Sequence, residues 1–216
     1  GNIGGPADAA IPDLVNILDN EKEYTRLRVA AMRSLGAFGS KAKAAIGSAA
    51  EFIDSDYGWA ALDTLVAIGK DSLDVLEEVV TATERKLLVR VPKYNDEVRV
   101  DTIRAMGQIG VTEPKLVVPR LNKIYKDANA FFILQALTNA YIEIGPGAKS
   151  AISILEKSVS SEENIYAVHA LGAIEKDAVN SLVKLLGHKS DAVKEEAARA
   201  LGNMGPDAQG AVRRLE

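Results

Sequence analysis

The chain has no cysteine, which excludes disulfides, thiolate nucleophiles and cysteine-ligated zinc. A chain without cysteine is stable in either redox environment, so the compartment stays open. It has two histidines, His169 and His188. Neither has a carboxylate or a second histidine at ligand spacing, and nothing in the sequence places a carboxylate near His169, so no metal or cofactor is expected. Aromatic residues make up 5% of the chain, so a buried seam must be built from Ala, Leu, Val and Ile. No run approaches the roughly 20 apolar residues of a membrane span, and no signal-peptide pattern opens the sequence. A surplus of basic charge is also missing. The net charge is −4 and the pI about 5.4, which argues against nucleic acid as the main partner.

What is present is a repeated phrase: an apolar residue, Gly, any residue, an aliphatic or aromatic residue, and Gly. It reads Leu35-Gly36-Ala37-Phe38-Gly39, Met106-Gly107-Gln108-Ile109-Gly110 and Leu201-Gly202-Asn203-Met204-Gly205. Degraded copies end at Gly69, Gly145 and Glu175, and Gly1-Asn2-Ile3-Gly4 is the tail of another. The last positions of successive copies are 35, 30, 41, 35, 30 and 30 residues apart. A period in this range marks stacked units rather than one globular core. The expected architecture is an all-α, right-handed α-solenoid of about six two-helix units, forming a single domain over residues 1–216. Both ends fall inside a repeat, so the chain is read as a fragment of a longer array. Half-repeats at its termini would allow end-to-end self-stacking.

The last repeat shows the logic. Ser190 and Asp191 are placed to cap a helix, and Val193, Ala197, Ala200, Leu201 and Met204 fall on one face at helical spacing. Gly205-Pro206 then stops the helix. The inner Gly202 costs about 1 kcal/mol of helix propensity, and its recurrence implies close approach between the two helices of a unit. Second helices carry stripes such as Ile11, Leu14, Val15 and Leu18, or Val179, Leu182, Val183 and Leu186. Pro12 and Pro119 are expected to mark where second helices begin.

The phrase Asp96-Glu97-Val98-Arg99 running to Gly110, with its echo Asp191-Ala192-Val193-Lys194 running to Gly205, resembles the short HEAT repeat, in particular the subtype named after phycobilin lyases. The resemblance covers essentially the whole chain. It implies first helices on the convex side and second helices on a concave, binding side. It departs from the pattern where Glu175 replaces the turn Gly and where Val66 and Ile142 replace the inner Gly. Lysine-hydroxylating HEAT enzymes need His-Glu pairs for iron, but here Ala170 follows His169 and Lys189 follows His188.

The unit between Gly69 and Gly110 is longer than the rest, with its additional residues between Thr81 and Asp96. An overlong second helix and a loop broken at Pro92 and Asn95 are expected there. Insertions in solenoids emerge on one face and are often used for binding. Net charge is −6 over residues 1–81, +5 over 82–126 and −3 over 127–216. The basic middle points to an acidic protein or peptide as partner. The candidate site is Arg85, Lys86, Arg90, Lys93 and Tyr94, extended by Arg120, Asn122 and Lys123 on the next second helix.

Tyr24, Tyr57, Trp59, Tyr94 and Tyr166 lie before or early in first helices, which argues for packing at seams between repeats, with Trp59 the exception. Phe131-Phe132 opens a first helix, and one of the pair must point away from the buried face. Gly145-Pro146-Gly147-Ala148-Lys149-Ser150 lacks the glycines of a phosphate-binding loop and no strand precedes it, so it is a helix stop. Adjacent carboxylates such as Glu195-Glu196 diverge on a helix and form no acid/base pair. The expected function is a non-catalytic interaction scaffold. The alternatives are an accessory enzyme similar to phycobilin (bilin) lyases, on the repeat subtype alone, and a structural spacer in a larger protein.

Overall fold

The computed structural model describes residues 8–82, 96–162, 164–206 and 208, all of them in helices, turns and short connections, with no strand among them. They form two compact units, Gly1–Ile109 and Gly110–Glu216. Each is a stack of helix pairs, so the all-α solenoid class holds.

In the first unit the second helices are α1 (Ile11–Asp19), α3 (Ile46–Ala50) and α5 (Leu73–Thr81), and the first helices are α2 (Thr25–Ala37), α4 (Gly58–Ile68) and α6 (Asp96–Thr112), whose residues from Gly110 on belong to the second unit. In the second unit α7 (Pro114–Asp127), α9 (Ile152–Glu162) and α11 (Val179–Leu185) alternate with α8 (Phe131–Ile144), α10 (Ile165–Ala173) and α12 (Asp191–Met204). First helices pack on first helices, α2 on α4, and α8 and α12 on α10. Their stripes supply the core: Met32, Leu35, Leu65 and Ile68 in one unit, and Leu137, Tyr141, Val168, Leu171 and Val193 in the other, are all buried.

Short 3-10 turns follow four of the first helices, α2, α4, α8 and α10, at Gly39–Ala45, Lys70–Ser72, Gly145–Ala151 and Glu175–Ala178. The repeat phrase sets their backbone. Gly39, Gly69, Gly145 and Gly205 have φ between 55° and 85°, and Glu175 shares the positive φ, at 60°, with a side chain attached. The turn is therefore imposed by the repeat even where glycine is missing. The copy ending at Gly110 breaks the expectation. Gly110 lies inside α6, which runs on to Thr112. A methyl group there would sit 2.5 Å from Ile144 Cδ1 and 3.1 Å from Val117 Cγ1, so this glycine serves close packing instead of a turn.

Three other local expectations are corrected. Two of the inner glycines do not bring together the two helices of one unit: Gly36 and Gly172 face the next first helix, meeting Thr64 Cα at 3.4 Å and Ala200 Cβ at 3.3 Å from an added Cβ. Pro12 does sit in the first turn of α1, but Pro119 lies inside α7, whose first turn belongs to Pro114. Ser190 is the N-cap residue of α12, yet its side chain makes no cap bond. Its backbone N–H donates to His188 Nδ1 at 3.1 Å.

The second helix of the long unit is not overlong. Nine residues form α5, as they form α1, and Ala82 leaves helical geometry with ψ 112°. Most of the insertion, residues 83–95, lies outside the described residues.

Candidate functional site

Of the residues expected to bind a partner, Arg85, Lys86, Arg90, Lys93 and Tyr94 lie outside the described residues. Arg120, Asn122 and Lys123 are on α7, with Lys123 exposed and the other two half-buried. Asn122 is held at both ends of its amide: Oδ1 accepts from the Tyr141 hydroxyl at 2.8 Å, and Nδ2 donates to the Ser150 carbonyl at 3.1 Å. This cross-linking ties α7 to α8 and to the turn that follows. Tyr141 is fully buried, and that burial, with Tyr125 beside it, raises its hydroxyl pKa far above the ordinary tyrosine value.

Asn122 also borders a cleft of about 530 Å³ between α7 and α9. Tyr125, Lys126, Asn129, Ser153, Ile154, Lys157 and Ser158 line it, with Leu134 contributing from α8. A hydrogen-bonded floor runs beneath. Tyr125, 6% exposed, donates from its hydroxyl to Ser158 Oγ at 2.8 Å. Asn164 Nδ2 donates to Ser158 Oγ at 3.1 Å and to the Tyr125 hydroxyl at 3.3 Å. Asn164 is the N-cap of α10, and its Oδ1 accepts from the Ala167 N–H at 3.3 Å. That cap bond fixes which end of the amide faces the hydroxyls.

The sequence reading missed these residues. Tyr125 and Ser158 stand 33 positions apart, close to one repeat, and that offset is the signal that could have paired them.

A second surface runs across the first helices of the same unit. Phe131 and Phe132 are 58% and 63% exposed at the start of α8, so both members of the pair reach solvent where one was expected to. Their rings meet edge-on with centroids 5.8 Å apart. Phe131 meets Tyr166 of α10 at 6.0 Å, and Tyr166 meets His169 at 6.2 Å. His169 Nε2 then lies 3.1 Å from Glu196 Oε1 on α12, and Glu196 pairs with Arg199 at 3.2 Å. This corrects the view that no carboxylate approaches His169: Glu196 is 27 positions on, about one repeat, and stacking brings it alongside. A shallow groove of about 450 Å³ opens beside this pair, between α10 and α12. Among the described residues no group of three or more His, Cys, Asp or Glu side chains is placed to hold a metal ion.

In the first unit, Trp59 is 53% exposed, as expected of the exception among the aromatics. The Arg33 guanidinium stands over it, 5.6 Å from the ring centroid. Trp59 and Leu62 border a cleft of about 460 Å³ together with Asp54, Asp56, Glu97 and Asp101. Tyr24, expected to pack at a seam, is 84% exposed instead, because as N-cap residue of α2 it stands clear of the buried stripe. Among the described residues the buried aromatics are Phe52, Tyr125 and Tyr141.

Among the described residues no helix is long and apolar enough to cross a membrane. Among solved structures, the chain is similar to a de novo designed 16-helix transmembrane nanopore, TMHC8_R, at 16% identity over 97% of this chain, with a TM-score of 0.21. It spans 64% of that chain's length. A score this low carries no argument about shape or function. No curated protein matches the chain. Residues 148–216 match the family model of HEAT repeats, which, with the stacked helix pairs, supports a HEAT-repeat protein.

Proposed function

We propose that the chain is a non-catalytic interaction scaffold, offering stacked helical surfaces to a protein or peptide partner. HEAT repeats commonly serve in this way, and one observation carries the reading here: the aromatic row of Phe131, Phe132 and Tyr166, exposed across two neighbouring first helices. Clustered exposed aromatics are costly in water and are characteristic of protein contact sites. The proposal also keeps the basic segment of Arg85, Lys86, Arg90, Lys93 and Tyr94, with Arg120 and Lys123, as a region that favours an acidic partner. The bilin-lyase alternative rests on the repeat subtype alone.

The test replaces Phe131 and Phe132 together by Ser and compares capture of interacting proteins by the two forms of the chain. Both rings are more than half exposed, so the circular-dichroism melt should shift by no more than a few degrees. Proteins crosslinked to α8 and α10 of the original chain should be lost from the variant. Equal capture by both forms would remove the row from the proposal.

A further inference from the structure

The aromatic row leads into a groove. His169, one turn along α10 from Tyr166, meets that ring at 6.2 Å, and a groove of about 450 Å³ runs on from there between α10 and α12. Gly172, Ala173 and Ala200 line it with almost no side chain, and α10 approaches α12 closely there, an added Cβ on Gly172 lying 3.3 Å from Ala200 Cβ. Glu175 and Met204 line the groove where α10 and α12 end.

Its two carboxylates differ. Glu196 is mostly buried and already held, by His169 at 3.1 Å and by Arg199 at 3.2 Å. Glu175 is exposed, and its carboxylate has neither an ion pair nor a hydrogen bond among the described residues. The backbone disfavours a side chain at its φ of 60°, and no contact of the carboxylate within the chain offsets that. Strain kept without an internal contact points to a contact made elsewhere. Charge says which kind. Arg199 is shared between Glu195 at 2.9 Å and Glu196 at 3.2 Å, and Lys176 beside Glu175 is matched by Asp177. The charge of Glu175 is left over, at the end of a track that begins with exposed aromatic rings.

We propose that the row and the groove together dock a basic segment of a partner protein. Apolar residues of the segment lie on Phe131, Phe132 and Tyr166, and a lysine or arginine that follows them enters the groove and pairs with Glu175. Met204 and the small residues of the groove give its methylene stem an apolar bed. The inference rests on the row as a protein contact site and adds the charge and the spacing of what binds there. From Tyr166 to Ala173 the axis of α10 runs about 10 Å, at about 1.5 Å per residue, which an extended segment covers in about three residues. The contact is separate from the one proposed for the basic segment.

The intact chain is titrated, by fluorescence anisotropy, with a labelled peptide holding two leucines and, three positions after the second, a lysine, with serine elsewhere. A second peptide carries glutamine for that lysine. The lysine peptide should bind about threefold to fivefold tighter, the scale of an exposed ion pair, and added salt should shrink the difference. Glu175→Gln should erase the preference. Glu175→Gly should erase it too, and because glycine suits the positive φ, a failure to fold does not confuse the result. Asp177→Asn, an exposed carboxylate on the same turn outside the groove, should leave the preference as it was. No saturable binding of the lysine peptide, equal affinity for the two peptides, a preference that survives Glu175→Gly, or one that Asp177→Asn also erases would each overturn the inference. In those cases the row still stands if captured proteins are lost when Phe131 and Phe132 are replaced by Ser. Peptide affinity that survives this double replacement would overturn the docking track as a whole.

Discussion

Glu175 and Tyr141 show how single residues carry the strain and the buried polarity of this fold. Glu175 is the only non-glycine residue with positive φ among those described, at the position where four other repeats place a glycine of positive φ. A left-handed side-chain-bearing residue costs about 1–2 kcal/mol, part of which glycine returns to the flexible unfolded chain. Glu175→Gly should therefore stabilise the chain by about 0.5–1 kcal/mol, seen as a higher urea midpoint with unchanged slope. Tyr141 is the reverse case, a buried polar group with its partner in place. Burial, and then Tyr125, holds its pKa above the ordinary value of about 10. The unfolded chain therefore releases this proton first. The stability is whole below pH about 10 and falls as pH rises beyond it. Tyr141→Phe should flatten the alkaline fall in urea midpoint and cost about 1 kcal/mol at neutral pH through the lost bond to Asn122. A fall as steep as before would assign the alkaline sensitivity to another group.

Between elements, an arginine early in a first helix fastens the end of the preceding second helix. Arg28 Nε donates to the Leu18 carbonyl at 2.8 Å, and Arg99 Nε donates to the Val80 carbonyl at 2.9 Å. These carbonyls belong to the last turns of α1 and α5, where the helix leaves acceptors unmatched and favours positive charge. The Arg28 guanidinium also lies 4.7 Å from the centre of the Phe52 ring, so one side chain joins three elements. Arg28→Gln should cost about 1–2 kcal/mol, measured by thermal unfolding, because charge, reach and ring contact are lost together. A second fastening joins first helices. Thr64 Oγ1 of α4 lies 3.1 Å from the Met32 carbonyl of α2, a reach permitted by the absence of a side chain at Gly36.

At the scale of the whole molecule, stability in a stack of repeats is a sum of units and nearest-neighbour interfaces. Met32 is fully buried in α2, which packs on α1 and α4. Met32→Ala should destabilise the chain by about 2–5 kcal/mol. In native hydrogen exchange, the loss of protection should be largest in α1, α2 and α4 and should fade along the chain. A uniform loss everywhere would indicate one cooperative block instead of neighbour-coupled repeats. The same arrangement accounts for the two surfaces of the second unit. Stacking puts side chains about one repeat apart into contact, which aligns Phe131 with Tyr166, His169 with Glu196, and Tyr125 with Ser158.

The sequence by itself determined the class of fold. Helical spacing of apolar residues, recurrent glycine stops and the interval between them are local signals, and local backbone preference is what they report. They placed the turns at Gly39, Gly69, Gly145 and Gly205, and even identified Glu175 as a substitute for glycine. Phe131-Phe132 was half legible for the same reason: two adjacent rings cannot both face one helix stripe, which exposes one ring, and only the tertiary structure showed that both are exposed. The exceptions at Gly110 and Pro119 arise where tertiary packing overrode the local signal: Ile144 and Val117 fill the space beside Gly110, and α7 starts a turn and more before its inner proline. The carboxylate beside His169 and the hydrogen-bonded cluster of Tyr125, Ser158 and Asn164 could come only from the tertiary structure. Both depend on how far one helix is displaced and rotated against its neighbour, and that is set by side-chain packing between repeats rather than by the residues within one.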